Sequence, residues 1–174
     1  MRARIVIFAT AAFALTGCSS SYQFEHEGMQ QNAKLNPELG VLISTPDDGF
    51  YGQKKYPNSA KATVQTIKSE FLKYSKNVDI TQDCKGKQCL QSIDNQQYGY
   101  YIEPVILHWE DRNTEWSGKS DKVEIQIITY DAKTHQIIKD ARFSGKSKWM
   151  TLGGDHPQDL LKDPTEEYIN SLYQ

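Results

Sequence analysis

A pair of cysteines, a histidine followed by Glu, Asp and Arg set between two tryptophans, and a later Asp-His pair are the residues whose types and spacing could do chemistry. Cys84 and Cys89 flank a glycine in Asp83-Cys84-Lys85-Gly86-Lys87-Gln88-Cys89, and Gly86 supplies the turn that would bring them together. Zinc asks for four ligands and redox pairs favour a two-residue gap, so a local disulfide is expected. The stretch His108-Trp109-Glu110-Asp111-Arg112-Asn113-Thr114-Glu115-Trp116-Ser117-Gly118-Lys119, with Trp149, Asp155 and His156, admits three readings. His108, Glu110, Asp155 and His156 could assemble a metal site, the first two projecting from one face of a strand at i, i+2. Tryptophan faces stack on sugar rings while Glu110, Asp111 and Glu115 accept hydroxyl protons, and paired carboxylates could hydrolyse a glycoside. Alternatively, Trp109 and Trp149 close one end of the core and Arg112 pairs with a neighbouring acid. Gly-Lys-Ser occurs at 118–120 and 145–147, but the glycine that a phosphate loop needs five residues earlier is Asn113 or Asp140. No Gly-x-Ser-x-Gly elbow is present. No catalytic residue, cofactor or metal is therefore assigned.

The amino end bears on the compartment. Met1-Arg2-Ala3-Arg4 precedes an apolar run from Ile5 to Leu15, about eleven residues, short of the roughly 20 that span a bilayer. Residues 1–17 read as a signal peptide, absent from the mature chain. Leu15-Thr16-Gly17-Cys18 resembles the lipobox of bacterial lipoproteins. That resemblance implies a diacylglyceryl thioether on Cys18, cleavage before it and acylation of the new amino terminus. Each buried CH₂ is worth about 0.8 kcal/mol, so two or three acyl chains anchor stably. Among Gram-negative lipoproteins an aspartate after the cysteine favours inner-membrane retention; here the residue is Ser19, which implies the periplasmic face of the outer membrane. Export to an oxidising compartment agrees with the disulfide.

Loss of Arg2 and Arg4 with the leader makes the net charge of −2 more negative by two, which argues against nucleic acid as an electrostatic partner. Residues 18–37 carry Cys18 and a polar stretch without sustained period, expected as a flexible tether whose about 18 residues span roughly 25 Å r.m.s.. Residues 38–174 are expected to form a single globular domain. Leu39 to Thr45 is a continuous apolar run ended by Pro46, suited to a buried strand, and 46–58 is a long loop. Ser59 is a candidate N-cap for a helix burying Ala60, Val64, Ile67, Phe71 and Tyr74. Val78 and Ile80 suggest a short strand, and Leu90 and Ile93 a short helix. Strands follow at 98–112, 122–130 and 137–147, with Pro104 marking an edge or bulge. Pro157 and Pro164 suit first helical turns, the second capped by Asp163 and burying Ile169, Leu172 and Tyr173. The fold class is α/β of the α+β type: a mixed, mainly antiparallel sheet of four or five strands with two or three helices.

If these last three strands make two successive hairpins, the end of the first, the start of the second and the end of the third share one sheet edge. That edge would collect His108, Trp109, Glu110, Asp111, Arg112, Glu115, Trp116, Lys119, Trp149, Asp155 and His156, the expected binding surface. His108 to Gly118 and Ser147 to Leu161, with the opening strand and Gly-Phe-Tyr-Gly at 49–52, resemble a family of small bacterial envelope lipoproteins carrying a domain of unknown function. More loosely, the element order is similar to α/β domains of lipoproteins near curli secretion and to the amino-terminal domain of TolB, a likeness of fold alone. The expectation is a non-enzymatic outer-membrane lipoprotein, membrane-bound through Cys18, that binds an envelope protein through this edge. A peptidoglycan or small-ligand binder and a metal-assisted or carboxylate hydrolase are the alternatives.

Overall fold

The computed structural model describes residues 20–29, 34–112, 119–147 and 156–174. Its strands are β1 (Ser21–Met29), β2 (Gly40–Ser44), β3 (Phe50–Tyr51), β4 (Lys54–Lys55), β5 (Val78–Thr81), β6 (Tyr98–Glu110), β7 (Lys122–Asp131) and β8 (Ile137–Lys146). Among the described residues, two α-helices, α1 (Ser59–Phe71) and α2 (Lys162–Tyr173), join two short 3-10 turns at Gly86–Gln91 and Pro157–Leu160. One sheet runs in the order β1-β8-β7-β6-β2-β5, and β3-β4 forms a small second sheet. β6, β7, β8 and β1 pair antiparallel, while β2 lies parallel to both β5 and β6. The fold is thus α+β with a mixed, mainly antiparallel sheet, and the two hairpins expected at 98–147 are formed.

Alternation along β7 decides the layering. Val123, Ile125 and Ile127 are buried in the main core with Val41 and Ile43 of β2, Val64, Ile67 and Phe71 of α1, and Ile169 and Leu172 of α2. The opposite face carries a smaller cluster in which Tyr101 and Tyr130, cross-strand partners, pack with Cys89 and Leu90 of the first 3-10 turn. Cys84 and Cys89 are disulfide-bonded, and Gly86, between them, takes the left-handed conformation at φ 60° that a glycine adopts without strain. The bridge thereby clips a lid over two buried tyrosines.

The sheet has six strands, not four or five, because residues 21–29 of the expected tether form an edge strand on β8. Only Tyr22 and Phe24 alternate with polar neighbours there, a signal too short to separate a strand from a linker. Phe24 meets the ring of Phe143 at 6.2 Å between centroids. The expected tether is also shortened at its other end, where Leu35 is buried and its N–H donates to Leu172 O at 2.8 Å. Ser59 is the first residue of α1 and not its cap: its hydroxyl donates to Tyr56 O at 2.7 Å, and Asp48 from the preceding loop accepts the Ala60 N–H at 3.1 Å. Pro104 sits on β6 beyond Ile102, the last residue paired with β2, and opposite Ile127 of β7, so β6 has a neighbour on only one side there.

The disulfide closes a small loop, which in the chain-entropy model is worth about 2 kcal/mol. Replacing both Cys84 and Cys89 by serine is expected to lower the unfolding free energy by about that amount in urea titration, and to abolish the difference that reductant makes to the parent chain.

Candidate functional site

The end of β6 is shaped by a bulge. The register with β7 shifts between Ile106 and His108, leaving Leu107 half-exposed. Ile106 pairs with Ile125 on the core face, and after the extra residue Trp109, opposite Val123, occupies that face instead of His108. His108 and Glu110 consequently share the outer face, opposite Glu124 and Lys122. Trp109 is 3% exposed and closes the core, so it leaves the expected binding surface and takes the structural role. The loop 46–58 passes tightly over it: a Cβ on Gly49 would meet Trp109 Cβ at 2.5 Å and Ile106 Cγ2 at 2.8 Å, so only glycine fits.

That crossing brings two distant motifs together. Tyr51 stacks edge-on against His108 at 5.3 Å, lies 5.3 Å from the Arg112 guanidinium, and its hydroxyl accepts from Arg112 Nη2 at 3.3 Å. Glu110 has only 2% of its side chain exposed. It pairs with Arg112, contacts His108 Nε2 at 3.2 Å and lies 4.0 Å from Lys122 Nζ. A buried carboxylate without such partners would cost several kcal/mol. The expected pairing of Arg112 with a neighbouring acid is therefore present.

A second group forms just past the strand. Arg112 N–H donates to Asp121 Oδ1 at 2.5 Å, Asp121 N–H donates to Ser147 Oγ at 2.9 Å, and Ser147 N–H donates back to Asp121 O at 3.0 Å. His156 Nδ1 stands 3.7 Å from Asp111 Oδ1. Ligand-capable atoms of Asp111, Asp121 and His156 all lie within 4.8 Å of one another. The metal set read from sequence is thus divided: His108 and Glu110 are engaged on the outer face, while His156 joins Asp111 and Asp121 instead. Burial raises the Asp121 pKa above the usual carboxylate value; the Arg112 N–H opposes this and the Asp111 charge adds to it. Asp121 was not legible as a site residue, since one aspartate at a strand start is ordinary turn chemistry. Lys119 is exposed; Glu115, Trp116, Trp149 and Asp155 lie outside the described residues.

An α+β domain with helices against a six-stranded mixed sheet, carrying this ion-paired corner at one sheet edge, defines the class. The family model described as a domain of unknown function, DUF4823, matches residues 33–172, and the chain belongs to that family. Among solved structures, the PelC dodecamer from Paraburkholderia phytofirmans is similar at TM-score 0.59 and 10% identity, over 88% of this chain and 94% of that one. A point variant of the same dodecamer gives TM-score 0.61 at 10% identity, over 87% and 95%. A DUF330 protein from Xanthomonas campestris reaches TM-score 0.49 at 10% identity, over 79% and 88%. At 10% identity the likeness to the two PelC structures concerns the fold alone. A search of the curated proteins finds no match.

The raised Asp121 pKa fixes the sign of a test. The native state holds this proton more tightly than the unfolded chain, so ionisation of Asp121 lowers stability as pH rises through the carboxylate range. Asp121→Asn keeps an acceptor for the Arg112 N–H and removes the charge. Its urea midpoint is expected to exceed that of the parent at neutral pH, and the gain to vanish by about pH 3, where the parent carboxyl is also neutral. A lower midpoint at neutral pH would show that the negative charge itself holds the corner together.

Proposed function

We propose that the chain is an outer-membrane lipoprotein, held at the periplasmic face through lipid on Cys18, whose domain is a non-enzymatic binding or assembly factor of the cell envelope. The observation that carries this reading is the meeting of 49–52 with 108–112 at one sheet edge, where Phe50 and Tyr51 are 50% and 42% exposed and Tyr51 lies against Arg112. Exposed aromatics next to an arginine are the composition of interface anchors. Glu110, the most buried carboxylate of the edge among the described residues, is committed to ion pairs and holds the loop instead of facing a substrate. Arg112, Ser147 and His156, which flank in sequence the segments 113–118 and 148–155 containing Trp116 and Trp149, belong to this corner. The PelC dodecamer is a precedent for self-assembly by a chain of this fold. Among the described residues no helix is long and apolar enough to cross a membrane, which suits a lipid anchor.

Two measurements in living cells test it. Cys18→Ser is expected to leave the precursor uncleaved by the lipoprotein peptidase and unlipidated; a normally processed, membrane-held variant would refute the anchor. A photo-reactive residue at position 116 is expected to trap a discrete protein adduct that a probe at position 68, on α1, does not, and Phe50→Ser is expected to weaken that adduct. Equal trapping from both positions, or none from 116, would remove the edge as the binding surface.

A further inference from the structure

The outer face of the antiparallel sheet carries an arrangement that its own stability does not explain. Register places Lys122 of β7 directly opposite Lys146 of β8, with Ser21 of β1 beyond it on the same face. Like charges at directly opposed positions destabilise a sheet. The nearest carboxylates relieve the pair only in part. Glu124 is engaged with Arg142, Glu110 is shared among Arg112, His108 and, at 4.0 Å, Lys122, and among the described residues no carboxylate forms an ion pair with Lys146.

The two lysines border a trough of about 450 Å³, open on one side, lined also by Gln23, His108, Glu124 and Ser144. These residues share one face by register: Gln23 opposes Ser144, Ser144 opposes Glu124, and Glu124 opposes His108. The volume falls in the range of roughly 300–1,000 Å³ typical of small-molecule sites. A bare inorganic anion would leave most of it unused. The lining offers two cations at one end, then an amide, a hydroxyl, an imidazole and a carboxylate, which is a set of donors and acceptors suited to a sugar bearing carboxylate and several hydroxyls. We propose that this trough binds an acidic sugar, its carboxylate between Lys122 and Lys146 and its hydroxyls against Ser144, Gln23 and the His108–Glu124 side. The bound carboxylate removes the repulsion that the empty sheet bears. This goes beyond the edge-binding reading and does not rest on it, because the trough shares only His108 with the corner at the 46–58 loop and its two lysines lie on the outer sheet face.

The test is titration of the purified full chain with trigalacturonate, with maltotriose as the neutral trimer and inorganic phosphate as the simple anion, at low and at physiological salt. Trigalacturonate is expected to bind, more weakly as salt is raised, and maltotriose and phosphate are expected to bind at least about tenfold more weakly. Lys146→Gln and Lys122→Gln, each removing one charge-assisted bond, are expected to weaken trigalacturonate binding about tenfold. Relieved of like-charge repulsion and taking no part in the Glu110 ion pairs, Lys146→Gln is expected to keep or raise the thermal midpoint measured without ligand. Absence of trigalacturonate binding, equal binding of maltotriose, phosphate binding as tight as the sugar acid, or undiminished affinity in both variants would each overturn the assignment. Crosslinking from position 116 reports separately on the edge, so either reading can fail alone.

Discussion

Glu110 brings a carboxylate to a place where almost none of its side chain meets solvent, and the corner of the domain is arranged around keeping that charge satisfied. Arg112, two residues on, pairs with it; His108, two residues back on the same face, contacts it; Lys122 approaches from the neighbouring strand. Each partner has a second duty. Arg112 and His108 hold the ring of Tyr51, and so the loop 46–58, while the Arg112 backbone binds Asp121. One buried charge thus ties β6, β7 and the loop into a single unit. The cost of burying it is offset only while all three stay together.

The bulge at Leu107 is what makes this possible. Without the extra residue, period-two alternation would carry Ile106, His108 and Glu110 on one face, forcing either an imidazole and a carboxylate into the main core or Ile106 out of it. With it, Ile106 and Trp109 both face the core and both polar groups turn outward. Gly49 then crosses Trp109 where no side chain fits, and Asp48 next to it receives the Ala60 N–H in the first turn of α1. The positions of helix, loop and strand end are therefore interdependent.

Much of this could be read from the chain. The apolar run at 39–45, the alternation at 122–130 and the turn at 131–135 specify β2, β7 and β8, and two successive hairpins dictate which strand ends meet. The cysteine pair was legible because Gly86 between close cysteines leaves few other outcomes. What escaped has physical reasons. The alternation of β1 covers Tyr22 and Phe24 only, and an edge strand with one neighbour needs little hydrophobic pattern. A bulge leaves no mark in composition, so Trp109 reads as easily on the surface as in the core. Asp121, Lys122 and Lys146 acquire meaning only from register, since the sequence alone shows polar residues at strand ends.

Hydrogen–deuterium exchange on the Glu110→Gln variant tests most directly whether the buried charge organises the corner. Faster exchange is expected at Gly49, Tyr56 and Arg112, whose N–H groups are bonded to Ser59 Oγ, Gly49 O and Asp121 Oδ1, with α1 from Val64 onward and β2 unchanged. Protection of the loop equal to that of the parent chain, or a uniform loss across the whole sheet, would contradict a local organising role for Glu110.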